Sequence, residues 1–170
     1  GIQTIEEEYF RVGFSKRILN RVTWLVILVV AATISQTILK RYSGVLGSML
    51  ALAYFIPMLT GSGGNTGSQS STLIIRALAT GEIKLKEWWR ILLREAKVGV
   101  SLGFIMGLIA FTIALISLGQ FSVAMTVGIS LWTVVSVGNV IGLAIPLFFR
   151  FVKLDPAFAS APLIATLLDA

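Results

Sequence analysis

The sequence predicts an all-α fold, a polytopic bundle of membrane helices, and three observations carry that prediction. Apolar residues make up 56% of 170 positions and charged residues 13%. Mean hydropathy is +0.90, a balance that excludes a soluble single domain. The apolar residues gather into five runs, roughly 22–39, 44–60, 98–118, 122–149 and 157–170. The basic residues alternate from one intervening segment to the next. Arg11, Lys16, Arg17 and Arg21 precede the first run, and only Lys40 and Arg41 follow it. Arg76, Lys84, Lys86, Arg90, Arg94 and Lys97 precede the third; none lies near Gly119; Arg150 and Lys153 follow the fourth. Twelve of the fourteen therefore fall on one side, which by the positive-inside rule places the N-terminus in the cytoplasm and the multi-pass chain in the cell (inner) membrane. The net charge of +6 sets topology and is no nucleic-acid footprint.

Residues 1–21 read as a cytoplasmic, interfacial linker helix, and 22–170 as a transmembrane domain. In the linker, Glu6, Glu7 and Glu8 precede Tyr9, Phe10, Phe14, Ile18 and Leu19 at helix-like spacing. Trp24 stands where an interfacial anchor belongs. The first run gives roughly 27 Å of helix, enough to cross the hydrocarbon. Gly44 to Ala79 is too long for one straight crossing, at roughly 54 Å of helix. A break at 61–67 is expected to split it into two half-helices, with Pro57 loosening the backbone one turn earlier. The stretch 80–97, with Trp88 and Trp89, reads as a charged cytoplasmic connection. Runs 98–118 and 122–149 form a hairpin turning at Gly119-Gln120. Asp155-Pro156 has the form of a helix start, with Asp as cap and Pro at the first helical position. The fifth helix is too short to span and is expected to continue past Ala170, in a longer protein. Gly99, Gly103 and Gly107, like Gly138 and Gly142, recur every four residues and allow close helix approach, within one chain or between subunits.

The composition also excludes chemistry. There is no Cys and no His, which removes disulfides, zinc and iron–sulfur sites, the commonest transition-metal ligand and the usual proton shuttle. No Ser nucleophile has a His or Cys partner, so the chain does not read as an enzyme. A P-loop needs Gly-Lys-Ser/Thr after a strand; here Gly67 meets Ser68, in a membrane context. Any ion handled is a hard one, held by oxygen.

Two features point to such an ion. The tract 61–71, GSGGNTGSQSS, is polar and glycine-rich inside an apolar segment. Non-helical backbone at that depth survives only against protein or a watery cavity. Freed carbonyls with Asn65, Ser68 and Gln69 can then present oxygens to a cation; the alternative is a polar hinge. Asp169 is the one acid inside an apolar run, where an ionisable group is costly unless paired or hydrated. Two such carboxylates from a symmetric dimer suit a divalent cation, and the Ala165 carbonyl shares the helix face; the alternative is a surface residue near a frayed end. Asn139 is either a pore-facing amide or an interhelical hydrogen bond. Asp155 reads as a cap before a ligand, and Arg76 as a residue that snorkels or caps.

The segments IPMLTGSGGNTGSQSSTLIIRALATGEI, KEWWRILLREAKVGVSLGFIMG, GNVIGLAIPLFFR and LDPAFASAPLIATLLD occur in the order and spacing of one family. Over about residues 9–170 the chain resembles the membrane domain of MgtE-type magnesium channels. That resemblance implies a homodimer with five helices per subunit in the bilayer, conducting Mg2+ as the transported ion. It implies that Asp169 is the pore carboxylate, with Ala165 presenting its carbonyl, and that Gly64, Asn65 and Gly67 line the path. Ser68 and Ala161 stand where some members have Asn, two positions flanking the pore that lack the amide here; Asn139 completes the expected lining. A cytosolic N-domain and paired CBS domains typically precede this domain as partners in the full-length protein. The competing functions are an ion-coupled secondary transporter, with the broken helix as a moving gate, and a non-transporting membrane scaffold.

Overall fold

A computed structural model describes residues 14–44, 50–83, 85–154, 156 and 161–168, and among these every regular element is a helix. Helix α1 runs Phe14–Arg41, α2 Leu50–Ala53, α3 Ile56–Thr80, α4 Trp88–Leu118, α5 Phe121–Phe151 and α6 Ala161–Leu168, with a 3-10 turn at Leu85–Glu87 before α4. Two helical segments among the described residues, Leu85–Leu118 and Phe121–Phe151, are long and apolar enough to cross a membrane. α1 begins at Phe14, so the second half of the expected linker is continuous with the first apolar run.

The expected break is not in the glycine tract. α3 passes through 61–71 as one α-helix of 25 residues. The interruption falls earlier, at the Tyr54–Phe55 turn, where the Phe55 N–H donates to the Leu52 carbonyl at 3.0 Å. Pro57 stands in the first turn of α3, where its missing N–H costs nothing, and so starts a helix instead of loosening one. The reason lies in the cost that suggested a break. In an apolar surrounding an unpaired backbone group costs several kcal/mol, and a continuous helix satisfies all but its ends. That outweighs the penalty of about 1 kcal/mol per helical glycine.

The charged stretch also differs from expectation. Gly81, at φ 75°, closes α3 in the left-handed conformation, but α4 starts at Trp88 and carries Arg90, Arg94 and Lys97 in the same helix as 98–118. Nothing between Trp88 and Lys97 is Gly or Pro, and Arg, Leu, Glu, Ala and Lys are good helix formers. The hairpin turn stands as expected: α4 ends at Leu118, Gly119 takes φ 66°, and its N–H donates to the Leu115 carbonyl.

Glycines set the packing. α4 and α5 run antiparallel, with a Cβ built on Gly99 meeting Asn139 at 2.8 Å, on Gly103 the Ser136 hydroxyl at 2.6 Å, and on Gly107 the Gly128 carbonyl at 2.6 Å. The stripe at 99, 103 and 107 thus serves packing within the chain. α3 runs parallel to α5. A Cβ on Gly63 would meet Val134 at 2.7 Å, one on Gly138 would meet the Gly63 carbonyl at 2.9 Å, and one on Gly142 would run into the Gly67 backbone. Farther along, Ile74 joins Leu143 and Leu147 in one buried cluster. α6 lies antiparallel on α3, with Ile164 and Leu168 against Gly67, and α1 leans on α6.

This packing separates two glycines of the same chain. Gly142→Ala drives a methyl into the α3 backbone and should lower stability by about 1–3 kcal/mol. Gly61 has open space around its missing Cβ, so Gly61→Ala should raise stability by about 0.5–1 kcal/mol. Unfolding midpoints of both variants in mixed micelles check the pair.

Candidate functional site

The close contact of α3 with α5 fixes the rotation of α3 about its axis. Gly63, Gly67, Ser70 and Ile74 are buried on one side. The side opposite is therefore turned outward, and it carries Asn65, Gln69, Thr72 and Arg76 at the i, i+4, i+7, i+11 spacing of one helix face, all four of them exposed. Asn65, Ser68, Gln69, Thr72 and Leu73 line an open concavity of about 610 Å3. A second groove of about 240 Å3 shares Asn65 and Gln69 with it and adds Ser62 and Thr66, walled by Leu102, Met106 and Val135.

From Asn65 to Thr72 the face is neutral and rich in oxygen, with the Arg76 cation one turn beyond. Thr66 donates its hydroxyl to the Ser62 carbonyl at 2.8 Å, and Thr72 to that of Ser68 at 2.8 Å. Each hydroxyl is thereby fixed as a donor into its own helix and leaves acceptor lone pairs outward. The Asn65 and Gln69 amides are exposed. Such a surface can accept hydrogen bonds from the water shell of a cation without a formal charge that would trap it.

The expected site residues divide. Asn65 and Ser68 share the concavity. Gly64 and Gly67 are buried, and Gly67 is turned toward α5 and α6, where its neighbours are Leu168, Ile164 and Gly138. Ala165 is half-buried on α6, and Ala161 opens that helix. Asp169 follows directly on the end of α6 and, like Asp155, lies outside the described residues. Ser62, Thr66 and Thr72 were missed. A 3.6-residue period laid across the tract would have found them, but a tract read as a break has no period.

Of the two roles left open for Asn139, the structure shows the interhelical hydrogen bond. Asn139 is 4% exposed. Its amide donates to the Glu95 carbonyl at 2.7 Å and stands 3.5 Å from a Glu95 carboxylate oxygen. Within one protomer it faces α4, away from the concavity. Two residues continue the pattern along α5: the Ser136 hydroxyl reaches the Gly99 carbonyl at 3.3 Å, and the Trp132 indole N–H donates to the Val100 carbonyl at 3.2 Å.

A family model described as the MgtE divalent cation transporter matches residues 56–170, which takes in α3, the α4–α5 hairpin and α6. The chain belongs to the MgtE family. The magnesium transporter MgtE of Thermus thermophilus is 42% identical over 157 residues, covering 89% of this chain and 33% of that protein. The magnesium transporter MgtE of Bacillus subtilis is 34% identical over 150 residues, and that of Enterococcus faecalis 29% identical over 150, each alignment covering 88% of this chain and 33% of the relative. The chain thus spans about a third of the length of these curated relatives. The MgtE match begins at Ile56, the residue with which α3 starts.

The Asn139 bond gives a graded prediction. Asn139→Ala removes one buried hydrogen bond and should cost about 1–2 kcal/mol. Asn139→Asp removes the donor and also sets a carboxylate beside Glu95, so its unfolding midpoint should fall below that of the alanine variant.

Proposed function

We propose that this chain is the pore domain of a magnesium channel, embedded as a multi-pass bundle with its N-terminus in the cytoplasm. Two copies form a homodimer that conducts hydrated Mg2+ into the cell. In the longer protein the domain follows a cytosolic N-domain and paired CBS domains, joined through residues 1–21. The observation that carries this reading is the exposed amide-and-hydroxyl face of α3, set in an apolar bundle with α6 packed alongside. One protomer offers a concavity open on one side, and a second copy across a two-fold axis closes it into a passage.

The chemistry follows from the ion. Mg2+ loses its water reluctantly and is usually held through retained waters and one or two carboxylates. Asn65, Ser68, Gln69 and Thr72 accept hydrogen bonds from those waters, and the Asp169 carboxylates of both copies supply the charge that admits a divalent cation. Ala165, four residues before Asp169 in sequence, adds its carbonyl. Gly64 and Gly67 act by bringing α3 against its neighbours, which turns Asn65 outward; Ser68 flanks the path on α3 and Ala161 on α6. The membrane potential, about 2.3 kcal/mol per charge per 100 mV, drives the ion inward without ATP. The ion-coupled carrier reading relied on a broken helix as its moving gate, and α3 is continuous across 61–71.

In proteoliposomes with an entrapped magnesium dye, Asp169→Ala should abolish uptake while the dimer still elutes intact in gel filtration. The double change Asn65→Leu and Gln69→Leu should slow uptake at least tenfold, because a hydrated ion then meets alkyl groups in place of acceptors. Uptake by the Asp169 variant at the parent rate would refute the pore.

A further inference from the structure

At the inner end of the α4–α5 hairpin a slot of about 220 Å3 opens between the two helices. Leu85, Trp88 and Leu92 form one wall, and Leu147, Phe148 and Phe151 the other. The lining is wholly apolar, yet its rim is exposed: Trp88 by 53%, Phe148 by 61% and Phe151 by 77%. A slot of this shape at the end of two apolar helices fits an alkyl chain.

Cations flank its lining residues in sequence. Lys86 lies between Leu85 and Trp88, and Arg150 between Phe148 and Phe151. The Arg90 guanidinium sits 5.2 Å over the Trp89 ring. Among the described residues, Glu82 and Glu87 are the acids close to these cations in sequence. The end of α5 adds a second observation. The Leu154 N–H reaches back to the Phe149 carbonyl at 2.8 Å and the Lys153 N–H to that of Arg150 at 3.2 Å, a closing pattern whose left-handed position is usually glycine. This chain puts Lys153 there, at φ 62°, accepting backbone strain to keep a cation at that point. Cations at a helix C-terminus suit its dipole in any protein; the apolar slot beside them is what points to a lipid.

We propose that the slot binds an acidic phospholipid of the cytoplasmic leaflet. One acyl chain enters between Trp88, Leu92, Leu147 and Phe148, and Arg150 and Lys153 hold the phosphate. Basic pockets between membrane helices on the cytoplasmic side recognise anionic headgroups in this way, with aromatic rings at headgroup depth. The inference rests on the membrane placement proposed above, and on neither the ion nor its conduction.

The test reads contact with Trp88 directly. The full chain is reconstituted in phosphatidylcholine vesicles carrying a small, equal fraction of dibrominated phosphatidylglycerol or dibrominated phosphatidylcholine. Bromine quenches tryptophan only at contact. The phosphatidylglycerol probe should occupy the quenching site roughly fivefold more readily, and Trp88→Phe should remove that difference. Arg150→Gln with Lys153→Gln should abolish the preference, while Arg150→Lys should retain it, which separates lost charge from lost fold. Equal quenching by the two probes, or a preference that survives the double glutamine change, would overturn the site. Magnesium uptake in the same vesicles is scored separately: a headgroup preference without uptake sinks the channel and leaves this site standing.

Discussion

The backbones of α3 and α5 meet without side chains between them, and the rest of the molecule is arranged by that contact. A methyl on Gly138 would lie 2.9 Å from the Gly63 carbonyl, and one on Gly142 would overlap Gly67. Contact this close leaves one rotation of α3 about its axis. With positions 63, 67, 70 and 74 inward, Asn65, Gln69 and Thr72 have only the outward side. The oxygen-lined face is therefore a consequence of the glycines behind it. Small residues at helix contacts replace, in an apolar surrounding, the hydrophobic drive that would hold the helices together in water.

The α4–α5 hairpin supports α5 from the other side. Trp132, Ser136 and Asn139 recur along one stripe of α5. The Trp132 indole and the Asn139 amide each donate to a carbonyl of α4. The Ser136 hydroxyl, bonded to the Trp132 carbonyl at 2.7 Å, also lies 3.3 Å from the Gly99 carbonyl. The Phe104 and Trp132 rings meet edge to face at 5.8 Å. Side-chain bonds of this kind give register to helices whose apolar faces alone would let them slide. α5 is thus held toward α4 by these polar contacts together with the glycine stripe, and toward α3 by backbone contact.

Much of the fold was legible in the residues. The hairpin at Gly119 followed from the break in hydropathy, and α1 and the fourth run from their apolar length. The glycine tract misled because local preference and environment conflict there. GSGGNTGS is a poor helix on propensity alone, and it is helical because its packing against α5 and α6 and the cost of unpaired backbone reward the helix. Asn65 and Ser68 were found through their chemistry, whereas Ser62, Thr66 and Thr72 needed the period that the supposed break erased. For Asn139 the sequence left two roles open, since choosing between them takes the position of Glu95, 44 residues away.

By itself the sequence determined the class of protein, the absence of His and Cys chemistry, and the family. Those rest on composition, order and spacing, which survive without coordinates. Only the tertiary structure decided which side of each polar segment faces a neighbour and which faces outward. It turned the tract's glycines into contacts and its amides into a surface. It also moved the interruption to Tyr54–Phe55, where the Phe55 N–H donates to the Leu52 carbonyl and the Phe55 carbonyl accepts from Leu59. The physical reason is that a helix face is defined by its partners: one glycine every four residues permits close approach, but the helix that makes the approach is set by the fold.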